Sequence, residues 1–89
     1  MKIWAITKKN NKIVLDMIVE NSAIEIDGIS KLIAIVCEEF DIGKPLILSK
    51  NMMELSEFGR TVFYPADFIE SIDFDTFEVE IVEDKPKDK

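Results

Sequence analysis

Residues 27–45 read DGISKLIAIVCEEFDIGKP, and this stretch carries the clearest secondary-structure signal in the chain. Its apolar side chains recur at spacings of three and four, the period of an α-helix with one buried face. Asp27 suits the N-cap, and Gly43 followed by Pro45 predicts the end of the helix. The apolar positions are Ile29, Leu32, Ile33, Val36, Cys37 and Phe40. We therefore expect an amphipathic helix that lies on a sheet.

The segment before this helix has the pattern of a β-hairpin. Residues 2–8 have an apolar centre, and residues 12–20 alternate between apolar and charged side chains, which is typical of strands. Asn10 and Asn11 between them tolerate a positive φ and predict the turn. The side chains expected to face inward from the second strand are Ile13, Leu15, Met17 and Val19. Residues 21–27 form a connector, in which Ile24 and Ile26 fit a short edge strand.

The segment directly after the helix predicts a short strand and a second, brief helix. Residues 46–48 are all apolar and predict a buried strand. Asn51 and Glu54 have the spacing of a capping box, so we expect a helix to open at Asn51. Gly59 predicts its end.

Two further strands are predicted towards the C-terminus. Residues 60–64 fit a strand that Pro65 stops, whereas residues 66–72 fit either a helical turn or extended chain. Residues 76–82 alternate and predict a final strand. Its inward side chains are Phe77, Val79 and Ile81, and its outward side chains are Glu78 and Glu80.

These elements read ββαβ(α)ββ, which predicts an α+β fold with one main amphipathic helix on a largely antiparallel sheet. Phe, Ile, Leu and Val make up about a third of the 89 residues, well above the level of about 20% that accompanies disorder. We expect residues 1–84 to form one domain and residues 85–89 to be a disordered charged tail.

The composition argues against the common enzyme chemistries. The chain has no histidine, so it lacks the commonest general base and metal ligand, and Ser–His or Cys–His catalysis is excluded. Cys37 is the single cysteine, and we expect a buried thiol whose pKa is raised by Glu38 and Glu39. The glycines form no phosphate-binding loop. We therefore expect a non-enzymatic protein without a cofactor. No apolar run is long enough to span a membrane, which favours a cytoplasmic location.

Negative charge is concentrated in the C-terminal half. The whole chain has a formal charge of −7, yet residues 1–50 are balanced. Residues 51–84 hold ten acidic residues and one basic residue, Arg60, which we expect to form an internal ion pair. Such a surface repels phosphate and argues against direct binding of nucleic acid or of an anionic membrane. It either serves only solubility or attracts a basic partner.

Aromatic side chains lie among these acids and predict a docking surface for a protein. Aromatic residues anchor protein interfaces and acidic residues steer basic partners. The predicted partner-binding residues are Tyr64, Phe68, Glu70, Asp73, Asp75, Glu78 and Glu80. Residues 73–80 also hold enough carboxylates for a hard cation such as Ca²⁺, but their spacing fits no EF-hand loop. A small carboxylate-based metal-binding protein is therefore the less favoured interpretation.

Two stretches resemble a group of small uncharacterised proteins from anaerobic Gram-positive bacteria. They are CEEFDIGKPLILSK at residues 37–50 and FYPADFIESIDFD at residues 63–75. The group has a proline where this chain has Gly43. The resemblance spans about residues 2–80 and implies a stand-alone protein, but it brings no known activity, cofactor or site residue.

The sequence thus predicts a protein–protein interaction module that binds a basic partner through its acidic and aromatic C-terminal half. The alternative is an inhibitor that mimics nucleic acid and occupies the groove of a nucleic-acid-binding protein. That alternative predicts regularly spaced, exposed carboxylates. Homodimerisation through an edge strand, or through the helix surface around Ile35, is compatible with both.

Overall fold

A computed structural model describes residues 2–20 and 28–82 of the chain. Within them, four strands form one antiparallel sheet in the order β2-β1-β4-β3, and two helices pack on it. The strands are β1 (Lys2–Lys9), β2 (Lys12–Glu20), β3 (Arg60–Phe63) and β4 (Thr76–Ile81). The helices are α1 (Ile29–Phe40) and α2 (Ser49–Phe58), and a 3₁₀ turn covers Pro65–Asp67. The predicted α+β class is confirmed, whereas the tail at residues 85–89 lies outside the described residues.

The core lies between the helices and one face of the sheet. The predicted apolar stripe of α1 is confirmed, since Ile29, Leu32, Ile33 and Val36 are fully buried. Burial of each such side chain stabilises the fold by roughly 1.5–3 kcal/mol. On the sheet side the buried residues are Ile3, Ala5, Phe63, Phe77 and Val79. The opposite face of the sheet carries Trp4, Lys8 and Glu80, and among the described residues neither helix covers it; we call it the uncovered face.

The hairpin between β1 and β2 is confirmed, but the predicted inward face of β2 is only partly right. Asn10 and Asn11 both have positive φ, as the turn requires. Thr7 pairs with Leu15 while Lys8 pairs with Ile13, so Val14 is an extra residue that forms a β-bulge. The bulge reverses the alternation and places Ile13 on the uncovered face, where it is 53% exposed.

From Leu15 onward, β2 follows the predicted alternation. Met17 and Val19 pack against the core, as expected. Leu15 is on the same side but remains 43% exposed, because β2 is an edge strand of the sheet. Residues 21–27, with the predicted strand at Ile24 and Ile26, lie outside the described residues.

Helix α1 is shorter at both ends than the sequence predicted. Gly28, not Asp27, holds the N-cap position, and Asp27 lies outside the described residues. At the other end Asp41 adopts the left-handed conformation (φ 60°). Its N–H bonds to the carbonyl of Glu38, and the N–H of Ile42 bonds to that of Cys37. These bonds satisfy the last carbonyls of the helix, so it ends before Gly43.

The predicted strand at residues 46–48 is wrong. Leu46 and Leu48 are about half exposed, and only Pro45 makes a single bridge, to Phe68. The N–H of Leu46 instead bonds to the carbonyl of Asp67 at 2.8 Å. In the described part of the chain these three residues therefore form a connector and not a strand, and Ile47 alone of the three packs against the core.

The remaining predictions concern the bounds of α2 and the conformation of residues 66–72. The helix begins at Ser49, and Asn51 lies in its first turn, where its Oδ1 accepts a hydrogen bond from the N–H of Leu48 at 2.9 Å. Gly59 ends the helix with φ 76°, as predicted. The ambiguous residues 66–72 are neither helix nor strand beyond the end of the 3₁₀ turn and the bridge at Phe68.

Candidate interaction surface

Two of the predicted partner-binding residues, Asp73 and Asp75, hold the hairpin turn. Asp73 Oδ1 lies 2.9 Å from the ammonium of Lys9, and this carboxylate raises the pKa of Lys9, first by its hydrogen bond and then by its charge. Asp75 Oδ2 accepts a hydrogen bond from the N–H of Asn10 at 2.9 Å. Both carboxylates therefore fasten the start of β4 to the β1–β2 turn.

Glu78 and Glu80 point away from the core on the uncovered face of the sheet, as predicted, but their surroundings differ. Glu78 lies between Lys8 (3.3 Å) and Arg60 (3.4 Å), and its side chain is only 17% exposed. The ion pair predicted for Arg60 is thus confirmed. Glu80 pairs in register with Arg60 and Trp4 and is exposed to solvent.

Phe68 and Glu70 are separated from the other predicted residues. The ring of Phe68 is buried and meets those of Phe74 and Phe77 at centroid distances of 5.6 and 6.2 Å, so it belongs to the core. Glu70 lines a different depression, beside α1, together with Gly43. The seven predicted residues therefore do not form one surface. Of these residues, Glu78 and Glu80 lie on one face of β4, and Tyr64 follows the neighbouring strand β3.

A groove runs along the free edge of β3, between this strand and α2. It has a volume of about 290 Å³. Its lining on α2 is a stripe of residues four apart, and its lining on β3 includes residues from both faces of the strand, so the groove follows the strand's edge. The lining residues are Lys50, Glu54, Phe58, Arg60, Thr61, Val62 and Tyr64.

Two aromatic rings stand at this groove and are exposed. Phe58 is 73% exposed at the last residue of α2, and Tyr64 is 52% exposed just after β3. Tyr64 is among the residues predicted from the sequence, whereas Phe58 is not. The signal for Phe58 was present: it follows Lys50 and Glu54 at intervals of four, on the polar side of α2, and it immediately precedes the helix-ending Gly59.

The hydrogen-bonding register leaves the backbone of β3 open towards the groove. The N–H of Ile81 donates to the carbonyl of Gly59 at 2.7 Å, so the pairs at Gly59, Thr61 and Phe63 are the hydrogen-bonded ones with β4. The N–H and C=O groups of Arg60 and Val62 therefore point away from β4. Within the described residues, no strand pairs with this side of β3.

A buried polar network fixes α2 beside β3. The Asn51 amide Nδ2 donates to Thr61 Oγ1 at 2.9 Å, and Thr61 Oγ1 donates to Glu54 Oε1 at 2.5 Å. Asn51 and Thr61 are buried, and buried polar groups need such partners. The network therefore joins the two elements between which the groove lies.

Cys37 is a buried thiol, as predicted. It is 1% exposed, and burial raises its pKa to about 11, while the nearby Lys44 acts in the opposite direction. The cause is therefore desolvation, not the neighbouring glutamates that the sequence suggested. A thiol in this state is protonated at neutral pH and is a poor nucleophile.

The described residues contain no group of three or more His, Cys, Asp or Glu side chains placed to hold a metal ion. Across residues 2–20 and 28–82, neither helix has the length and apolar character that a membrane crossing requires.

Comparison of the chain with protein-family models, with curated proteins and with solved structures gives no match. The groove, its aromatic side chains and its charges are therefore the features from which a function is inferred.

Proposed function

We propose that this protein is a non-enzymatic interaction module that binds a basic partner protein through the acidic and aromatic surface around α2, β3 and β4. The observation that carries the proposal is the exposure of Phe58 and Tyr64 beside a groove, within a segment that holds ten acidic residues and one basic residue. Exposed aromatic side chains are typical anchors of interfaces.

The charge around the groove supports a basic partner. Glu78 is shared by Lys8 and Arg60. Together with Lys50 these are three cations, against four carboxylates at Glu54, Glu57, Glu78 and Glu80. The net negative charge of the chain adds long-range attraction for a positive surface. The proposal includes a cytoplasmic location, since the single buried thiol needs no oxidising compartment.

The contacts favour this proposal over mimicry of nucleic acid. A mimic needs exposed carboxylates in a regular row. Glu78 is instead only 17% exposed between two cations, and Asp73 and Asp75, although exposed, are hydrogen-bonded to Lys9 and Asn10. These three carboxylates therefore do not form a free row.

The test compares capture of partners by three forms of the protein. E57Q/E80Q removes two exposed carboxylates near the groove, and E38Q/E39Q removes the same charge from the exposed side of α1. We expect a protein captured by the wild type and by E38Q/E39Q to be lost with E57Q/E80Q and to be released by moderate salt. That protein is then purified and titrated against all three forms. Equal affinities for the three forms would contradict the proposal.

A further inference from the structure

We propose that the partner contributes an extended segment that adds to the free edge of β3 as a fifth strand of the sheet. This inference rests on the proposed function and specifies its binding mode. In such strand addition, main-chain hydrogen bonds supply affinity and pockets for alternate side chains supply specificity. The bound segment lies in the groove between α2 and β3.

Within the described part of the chain, the free edge of β3 has unpaired backbone groups. Arg60 and Val62 each direct an N–H and a C=O group out of the sheet, so β3 offers two donors and two acceptors at the spacing of a β-ladder. A strand edge of this kind is a template for another extended chain. The groove, with its volume of about 290 Å³, follows this edge of β3.

The side chains on both sides of the β3 edge suit an added strand. Alternate residues of an added strand point to opposite faces of the sheet. On one face they meet the α2 stripe, which presents Glu54 and Phe58, and on the other they meet Val62 and Tyr64. Each face therefore offers an aromatic ring, one to the apolar side chains of the added strand and the other to its Lys or Arg side chains, whose stems and cations also pack on aromatic rings.

The charge around the groove indicates which polar residues the bound segment carries. Glu78 lies between Lys8 (3.3 Å) and Arg60 (3.4 Å) and offsets only one of these two cations. Around the groove and the adjoining sheet face, four carboxylates still outnumber three cations: Glu54, Glu57, Glu78 and Glu80 against Lys8, Lys50 and Arg60. The occupant that fits is thus an extended segment in which β-branched or aromatic residues alternate with Lys or Arg.

The test uses three synthetic peptides of about ten residues, long enough to cover a strand edge. One alternates lysine with valine, one alternates lysine with proline, and one alternates glutamate with valine. The lysine–proline peptide has the same charge but lacks half of the N–H donors, and its prolines favour the polyproline II conformation, whose three-residue turn does not keep the remaining donors on one edge. We expect the lysine–valine peptide to bind at least about tenfold more tightly than the lysine–proline peptide, the difference that about 1.4 kcal/mol of lost hydrogen bonding gives. The glutamate–valine peptide should not bind.

These outcomes separate the two proposals. Equal binding of the two lysine peptides would overturn strand addition and leave the basic-partner proposal standing. Binding of the glutamate–valine peptide alone, or of none, would overturn both.

The wild-type protein supplies an independent readout. When the lysine–valine peptide binds, we expect hydrogen exchange to slow at the amides of Arg60 and Val62, which point to the groove. The amides of Thr61 and Phe63 already bond to β4 and should change little. Protection confined to another edge or to α1 would overturn the assignment.

A backbone variant completes the test. V62P removes the outward N–H without touching the ladder to β4, a position where an edge strand accepts proline, and V62A removes most of the side chain but keeps the donor. We expect V62P to bind the peptide about tenfold more weakly than V62A. Equal affinity of V62P and V62A for the peptide would overturn the proposal. A wild-type dimer in sedimentation that V62P abolishes would also overturn it, because the edge would then pair with a second copy of the chain.

Discussion

The side-chain amide of Asn51 donates a hydrogen bond to the hydroxyl of Thr61 over 2.9 Å, and both residues are buried. Asn51 is in the first turn of α2 and Thr61 is in β3, so this contact joins the two elements that form the groove. Each polar group has a further partner: Asn51 Oδ1 accepts from Leu48 N–H, and Thr61 donates to Glu54. The fold and the candidate surface therefore depend on the same polar network.

Replacement of Thr61 by valine tests this network. T61V keeps the shape of the side chain but leaves the Asn51 amide and the Glu54 carboxylate without their shared partner. We expect the free energy of unfolding to fall by about 1–3 kcal/mol, measured by urea denaturation. T61S keeps the hydroxyl and should cost clearly less than T61V. A loss in T61S as large as in T61V would show that the methyl group, not the hydrogen bonds, stabilises this site.

The bulge in β2 depends on Thr7, whose buried Oγ1 accepts a hydrogen bond from the N–H of Leu15 at 3.1 Å. T7V removes the acceptor with almost no change in volume, and we expect a loss of about 1–3 kcal/mol. Hydrogen exchange at Leu15 should accelerate more than exchange at Met17. T7S is the matched control. Unchanged exchange at Leu15 in T7V would mean that this contact does not hold the bulge.

Two glycines have opposite tolerance for alanine. Gly59 has φ 76° and open space around it, so G59A is penalised by conformation alone, by about 1–2 kcal/mol. At Gly43 an added Cβ would approach Glu70 Oε1 at 2.9 Å, but this is the end of a flexible side chain. We expect G43A to change stability by less than about 1 kcal/mol. Thermal unfolding of both variants measures the difference, and a more damaging G43A would contradict this explanation.

The sequence was sufficient for elements whose signals are local. The α1 stripe from Ile29 to Phe40 and the Asn10–Asn11 turn were predicted because helical periodicity and turn chemistry are encoded within a few residues. The bulge at Val14 was not, because it depends on how β2 pairs with β1. Asp41 ended α1 because an aspartate accepted the left-handed conformation before Gly43 was reached.

The candidate surface was harder to predict than the fold, because proximity in sequence did not reveal which groups are free. Asp73 and Asp75 follow one another closely in an acidic run, yet they bind the hairpin turn some 65 residues earlier in the chain. Phe68 was interpreted as an exposed ring and is in the core. The free edge of β3 follows from the strand order β2-β1-β4-β3, which alternation alone does not define.

Cys37 makes stability depend on pH in the alkaline range. The folded protein raises the pKa of this thiol from 9.0 to about 11 by burial, because a thiolate is poorly solvated in the core. The unfolded chain ionises first as pH rises, so the stabilisation is fully present below about pH 9 and is lost between about pH 9 and about pH 11. A shift of this size corresponds to about 2–3 kcal/mol at most.

The variant C37A isolates this contribution. All other ionisable groups are common to both proteins, so the difference in unfolding free energy between wild type and C37A reports the thiol. We expect C37A to be less stable than the wild type at neutral pH, because it leaves a small cavity, and the difference to shrink steadily above pH 9. Slow modification of the native thiol by a disulfide reagent at neutral pH, and rapid modification in urea, should accompany this. A constant difference up to pH 11 would show that the thiol ionises as readily in the folded protein as in the unfolded chain.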